Sequence, residues 1–142
     1  MTAAAQAPNA TMRKLTPVLL VDAIEPCLAF WTEGLGFEKT AEVPEGDRLG
    51  FVILAKDGIE VMYQTWESVE KDVPAVAAGA SHGVAPRTVL FIEVSDVDAV
   101  ERAMQRRRAE VTVPRRTTFY GMDEVGVREP GGHVVMFAQP TK

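Results

Sequence analysis

The chain has 142 residues, 46% of them hydrophobic and 25% charged, and a formal net charge of −5. That length supports one domain whose core needs neither disulfides nor a structural metal, and no apolar run approaches the ~20 residues that span a bilayer. The acidic balance excludes a nucleic-acid binder, which needs an excess of Lys and Arg against phosphate; the basic run Arg106-Arg107-Arg108, with Arg115 and Arg116 beyond it, reads as the solvated end of a helix.

Residues 1–12 are rich in Ala with Gln, Pro and Asn and lack a basic leader ahead of a long apolar stretch, so a frayed tail is expected there. Leu15 to Val21 is a short apolar run between Lys14 and Asp22 and predicts a buried strand. A helix is predicted from Ala23 to Gly34, because Ile24, Cys27, Leu28 and Trp31 recur at i, i+3, i+4 and i+7; Asp22 is the expected cap, and Gly34 and Gly36 the stop. Three strands follow at Phe37–Val43, Leu49–Ala55 and Ile59–Gln64, divided by the turn compositions Pro44-Glu45-Gly46-Asp47 and Lys56-Asp57-Gly58. Trp66–Asp72 predicts a short helix, and Val73–Pro86 is an aperiodic Ala, Gly, Ser and Pro segment. The order then restarts with a strand at Thr88–Val94, a helix at Asp96–Arg107 and strands at Glu110–Val113, Thr118–Val127 and His133–Ala138. Pro114 and Glu129-Pro130-Gly131-Gly132 are the expected breaks.

Adding 73 to the residue number carries Val21, Ile24, Cys27 and Trp31 onto Val94, Val97, Val100 and Met104, preserving the apolar stripe. The closing strands agree at 74, where Val61-Met62-Tyr63 meets Val135-Met136-Phe137. An internal duplication accounts for both. The expected organisation is a tail over 1–12 and one duplicated domain over 13–139, made of a first half 13–72, a linker 73–86 and a second half 87–139. Cys27 has no second cysteine to pair with and reads as a small buried hydrophobe, so a reducing, cytoplasmic setting is expected.

Two copies of strand, helix and three strands, with "LTPVLLVDAIEPCLAFWTEGLGF" early and "FYGMDEVGVREPGGHVVMF" late, resemble the vicinal-oxygen-chelate superfamily of glyoxalases, bleomycin-resistance proteins and extradiol dioxygenases, over roughly Arg13 to Gln139. "AFWTEGLGF" is similar to that family's helix and following strand, and "REPGGH" to its Asp-Pro-x-Gly turn, with Glu129 in place of Asp. The resemblance implies an α+β fold of two βαβββ modules whose curved sheets face each other around a cleft, and a homodimer. It also implies where metal-binding members place their ligands: Thr16, Val89 and Met136 match three of the four positions, and Glu60 the fourth, or Met62 if the halves are aligned by their closing strands. A divalent ion needs at least three His or carboxylate ligands, so neither a metal site nor a cofactor is expected. Of the two histidines, His82 falls in the linker and His133 on the face opposite Val134 and Met136, so each is expected to be a surface or satisfied side chain.

Strand alternation places Thr16, Val18 and Leu20; Glu60, Met62 and Gln64; Val89, Phe91 and Glu93; and Val134, Met136 and Ala138 on the cleft faces. Apolar walls with a few polar groups suit a small-molecule pocket, although Met and Phe stripes also make plain core. Glu60, Gln64 and Glu93 favour the pocket, since each is costly to bury without water or a partner. Trp66, Phe119 and Tyr120 could stack on a planar ligand at the mouth, or cover a hydrophobic edge or dimer contact. Arg128 is expected to pair with Glu129. In an apolar cleft Glu60 is expected to have a raised pKa, making it the candidate base, or else to receive a cationic ligand.

These expectations rank first a metal-independent protein that binds a small, planar or cationic organic molecule, as the resemblance to bleomycin-resistance proteins implies; antibiotic resistance is a class-level suggestion only. Second is an enzyme of the same fold, a lyase, isomerase or dioxygenase with an unusual metal site, or a metal-free one using Glu60 as base and Tyr120 as acid. Third is an interaction module. No Ser-His-Asp or Cys-His arrangement and no glycine-rich phosphate loop can be assembled. The expected partners are a small-molecule ligand and a second copy of the chain, without nucleic acid or membrane.

Overall fold

A computed structural model of the chain describes residues 7–77 and 88–141. The first half contains β1 (Val18–Val21), α1 (Glu25–Thr32), β2 (Glu38–Glu45), β3 (Arg48–Lys56), β4 (Ile59–Thr65) and α2 (Trp66–Asp72), followed by a single helical turn, α3 (Pro74–Ala77). The second contains β5 (Val89–Glu93), α4 (Val97–Arg106), β6 (Glu110–Thr117), β7 (Met122–Arg128) and β8 (Val134–Pro140). Each half forms its own open sheet, in the orders β1-β4-β3-β2 and β5-β8-β7-β6. In both, the first strand runs parallel to the last and the remaining pairs are antiparallel. The expected α+β architecture of two βαβββ modules is therefore the observed one.

Register carries the duplication into three dimensions. Val18 lies opposite Met62 as Phe91 lies opposite Met136, and Ile53 lies opposite Met62 as Gly126 lies opposite Met136. The first and third strands correspond at a shift of 73 and the last at 74, so the extra residue lies in the turn between β7 and β8. Met62, rather than Glu60, is thus the counterpart of Met136.

Because side chains alternate along a strand, each sheet commits one face to the core. Leu19, Val52, Leu54, Val61 and Tyr63 from the first sheet join Val125, Val127, Val135 and Phe137 from the second in one buried cluster. Cys27, Phe30 and Trp31 of α1, with Val97 and Met104 of α4, fill the space between. Cys27 is a buried free thiol, the small core residue expected of it.

Several boundaries differ for physical reasons. The first strand starts only at Val18, where pairing with β4 begins, and Leu15 is 89% exposed. Ile24, not Asp22, occupies the N-cap of α1 and makes no side-chain cap bond; Pro26 supplies the preset φ of the first turn instead. Pro44 and Pro114 do not end their strands, because β2 and β6 are edge strands where a missing N–H breaks no inner ladder; the register is irregular beside each. Thr118 to Gly121 form a turn rather than the start of a strand, so Phe119 and Tyr120 precede β7. Of the expected linker, Val73 and α3 are described, whereas residues 78–87, with His82, lie outside the described residues. No helix among the described residues is long and apolar enough to cross a membrane.

Candidate functional site

The candidate residues fall into two groups, one on the non-core face of each sheet. On the first sheet, cross-strand pairing sets Val18, Met62 and Ile53 in one row and Leu20, Gln64 and Phe51 in the next. The surface is apolar and partly open, with Val18 44% exposed. Its polar members are already engaged: Gln64 Nε2 donates to Ser68 Oγ at 3.1 Å, while Lys14 Nζ and Thr16 Oγ1 donate to Glu60 Oε1 at 3.0 and 3.2 Å. The bond from Lys14, joined by that from Thr16, holds the Glu60 carboxyl below the usual carboxylate range. The expected raised pKa is thus reversed, because a cation from outside the strand reaches the carboxylate.

On the second sheet, Val89, Phe91 and Glu93 lie beside Val134, Met136 and Ala138. Val89 is 63% and Phe91 55% exposed, whereas Met136 is buried across its own sheet. Gly126 makes room for it, since a Cβ there would stand 2.5 Å from Met136 Sδ.

One strand away is a group that the sequence reading missed. Glu124 is fully buried on this face and accepts from Arg116 Nε at 2.8 Å and Nη2 at 2.6 Å, and from Tyr120 Oη at 2.9 Å. The β6–β7 register brings Arg116 opposite Glu124, and the turn before β7 brings Tyr120. The Glu124 carboxylate raises the Arg116 pKa through that hydrogen bond. Phe119 stands wholly exposed with its ring edge-on to Tyr120 at 5.2 Å. Trp66, expected at the mouth, is instead buried as the first residue of α2.

The halves meet at a polar seam, also missed. Glu129 is 1% exposed and accepts from Tyr63 Oη at 2.6 Å, from the Gly131 amide at 2.9 Å and from the His133 amide at 2.5 Å. Trp31 Nε1 donates to the same Tyr63 oxygen at 2.8 Å. Burial and the Glu129 carboxylate push the Tyr63 phenol far above its ordinary range and the Cys27 thiol up to about 12. The His133 ring accepts from the Thr88 amide at Nδ1, which leaves Nε2–H to donate to Leu20 O at 3.1 Å. It is the satisfied histidine expected. Arg128 does not pair with Glu129; its Nε donates to Glu110 at 2.8 Å and its Nη1 to Gly132 O at 3.0 Å.

Two cavities flank this seam. One of about 470 Å³ is bounded by the end of α1, the β3–β4 turn, the end of β5 and α4; of the candidate residues it takes in only Glu93. The other, about 340 Å³, lies among Phe30, Arg107, Arg108, Arg128 and the β7–β8 turn.

A divalent ion does not fit the four positions to which the fold's metal ligands correspond. Thr16, Val89 and Met136 offer a hydroxyl, an alkyl group and a thioether, and with Met62 or the Glu60 carboxylate beside Thr16 as the fourth they supply at most one carboxylate and no imidazole. Among the described residues no three His, Cys, Asp or Glu side chains gather as a metal-binding group.

The sequence matches the model of the Glyoxalase/Bleomycin resistance protein/Dioxygenase superfamily over residues 14–137. No curated protein gives a significant match. Among solved structures, TioX from Micromonospora sp. ML1 superposes with a TM-score of 0.71 at 17% identity, covering 91% of this chain and 99% of that one. Lactoylglutathione lyase from Agrobacterium tumefaciens gives 0.69 at 18% identity, over 93% and 94% of the two chains. The bleomycin-binding protein of bleomycin-producing Streptomyces verticillus, solved with copper(II)-bleomycin, gives 0.58 at 25% identity, over 90% and 96%. The first two likenesses concern the fold alone. With a family model that spans both modules, the chain belongs to the glyoxalase/bleomycin resistance protein/dioxygenase superfamily.

Proposed function

We propose that this protein binds a small, planar or cationic organic molecule without a metal and without transforming it. The observation that carries this reading is the pairing of Met62 with Val18 and of Met136 with Phe91 at duplication-related positions, where apolar side chains stand in place of metal donors. The faces around them suit aromatic or aliphatic contact: Val18, Met62 and Phe51 on the first sheet, Val89, Phe91 and Met136 on the second. Thr16 and Gln64 on one face and Tyr120 on the other supply polar contacts that fix orientation, and Phe119 adds an exposed ring. The net charge of −5 favours a cation. The bleomycin-binding neighbour from Streptomyces verticillus provides a precedent of the same fold at 25% identity.

Val89 and Phe91 are each more than half exposed, so neither face encloses a ligand by itself. A homodimer in which a second copy closes over these faces would complete the pocket, and sedimentation equilibrium tests for it. Binding is tested by titrating chelator-treated protein with 9-aminoacridine and with metal-free bleomycin in a calorimeter. Saturable binding of at least one of them, weakened about tenfold by Phe91→Ala, is expected from loss of an aromatic contact. Binding of neither, or affinity indifferent to both Phe91→Ala and Met62→Ala, would remove the sheet faces from the site.

A further inference from the structure

The two sides of the seam are related by the duplication but are filled differently. On one side the β7–β8 turn closes onto α1 so tightly that a Cβ on Gly131 would stand 2.7 Å from Val21 Cγ1. Val21 and Cys27 beneath it are 3% and 0% exposed. Glu129 reaches Tyr63 there, and the His133 ring bridges Thr88 and Leu20.

The duplicated positions on the other side cannot repeat these contacts. Phe137 stands for Tyr63 and has no hydroxyl, Ile59 stands for His133 and has no ring nitrogen, and Lys56 stands for Glu129 and turns its ammonium onto Leu35 O at 2.7 Å. Between equivalent positions, Lys56 to Ile59 against Glu129 to His133, the β3–β4 turn is also one residue shorter. Val94 and Val100, the counterparts of Val21 and Cys27, consequently stay partly exposed and line the cavity of about 470 Å³. A further exchange widens it: Phe30 lines the smaller cavity, and its counterpart in the larger one is Ala103.

The chemistry of the larger cavity is directional. Its apolar surface comes from Leu35, Phe37, Ile92, Val100 and Phe137; its charged lining sets Asp57, Glu93 and Asp96 against one cation, Lys56, whose ammonium is held on Leu35 O. Asp96 accepts from the Ala99 amide as the cap of α4, but neither Asp57 nor Glu93 has a side-chain hydrogen bond or ion pair among the described residues. The smaller cavity is mixed in charge, with Arg107, Arg108 and Arg128 beside Glu110 and Glu129. A volume of about 470 Å³ lies within the usual range of small-molecule sites.

We infer that this seam cavity is a second binding site, sharing only Glu93 with the outward sheet faces, and that it takes a compact apolar molecule bearing one ammonium group. The hydrocarbon body packs on Phe37, Val100 and Phe137, and the ammonium meets the unpaired carboxylates of Asp57 and Glu93. The inference stands whether or not the sheet faces bind a ligand.

The test is a backbone-amide NMR titration of the full chain with 1-aminoadamantane, 1-adamantanol and 1-adamantanecarboxylate. The ammonium compound should produce saturable shifts at Leu35, Ile92 to Asp96 and Val100, and bind at least about tenfold more tightly than the carboxylate. Ala103→Phe, which installs the duplicated counterpart's side chain, should weaken it about tenfold or more by occupying the space. Asp57→Asn combined with Glu93→Gln leaves the cavity's shape intact, covers the case of a poorly folded Ala103→Phe variant, and should reduce the ammonium's affinity to that of the alcohol. Shifts confined to Val18, Met62 and Phe91, shifts that never saturate, carboxylate binding as tight as ammonium binding, or a double variant with unchanged affinity would each overturn the site.

Discussion

Tyr63 and Glu129 meet across the seam between the two halves, the phenol donating to Oε2 at 2.6 Å with both side chains buried. The Tyr63 hydroxyl oxygen in turn accepts from Trp31 Nε1, so one hydroxyl links α1, β4 and the β7–β8 turn. Tyr63→Phe strands a buried indole N–H and removes one donor from Glu129. A loss of about 1–3 kcal/mol is expected in urea unfolding, with an unchanged m-value. A loss below about 0.5 kcal/mol would show that the seam is not held there.

Cys27 shares this environment, and burial together with the Glu129 carboxylate lifts its thiol pKa to about 12. The thiolate is the reactive form, so the native protein at pH 8 should react with a disulfide reagent at least about a hundredfold more slowly than the urea-unfolded chain. Comparable rates would mean that α1 opens readily.

Glu60 carries the pH prediction. Its folded pKa is depressed, chiefly by the hydrogen bond from Lys14. The stability this contributes is therefore present above the unfolded pKa and lost as pH falls through the folded one. Carboxyl NMR should give Glu60 a midpoint below the ordinary glutamate value, and Lys14→Ala should move it back up. A midpoint at or above the ordinary value in the unaltered protein would contradict the Lys14 bond, and one raised to about 6–7 would restore the carboxyl as a candidate base.

Much of the fold was legible because period and punctuation agreed. The Ile24, Cys27, Trp31 stripe and its counterpart Val97, Val100, Met104 announced two equivalent helices, and the shift of 73 or 74 anticipated the register that sets Met62 and Met136 in matching positions. The site was less legible because it depends on contacts between distant segments. Glu60 is set by Lys14, 46 residues earlier. Glu124 became visible only once Thr118 to Gly121 proved to be a turn, which puts Arg116 across the hairpin from it; the Arg and Glu flanking that turn were the available signal. Trp66 lies next to a strand end, where sequence alone cannot separate a mouth residue from a helix start packed inward. The seam cavity needed both copies in view, since it arises from what one turn lacks relative to the other.

Binding of an organic molecule at the duplicated faces is proposed to need no divalent ion. This is tested most directly by the metal content of protein purified without chelators, read beside its Tm before and after adding Zn²⁺, Ni²⁺, Mn²⁺ or Fe²⁺. Thr16, Val89 and Met136, with Met62 or Glu60 as the fourth position, predict far less than one metal per chain and an unchanged Tm. One tightly held ion per chain, with a Tm raised by several degrees on its return as linkage requires of a ligand specific to the folded state, would contradict the account.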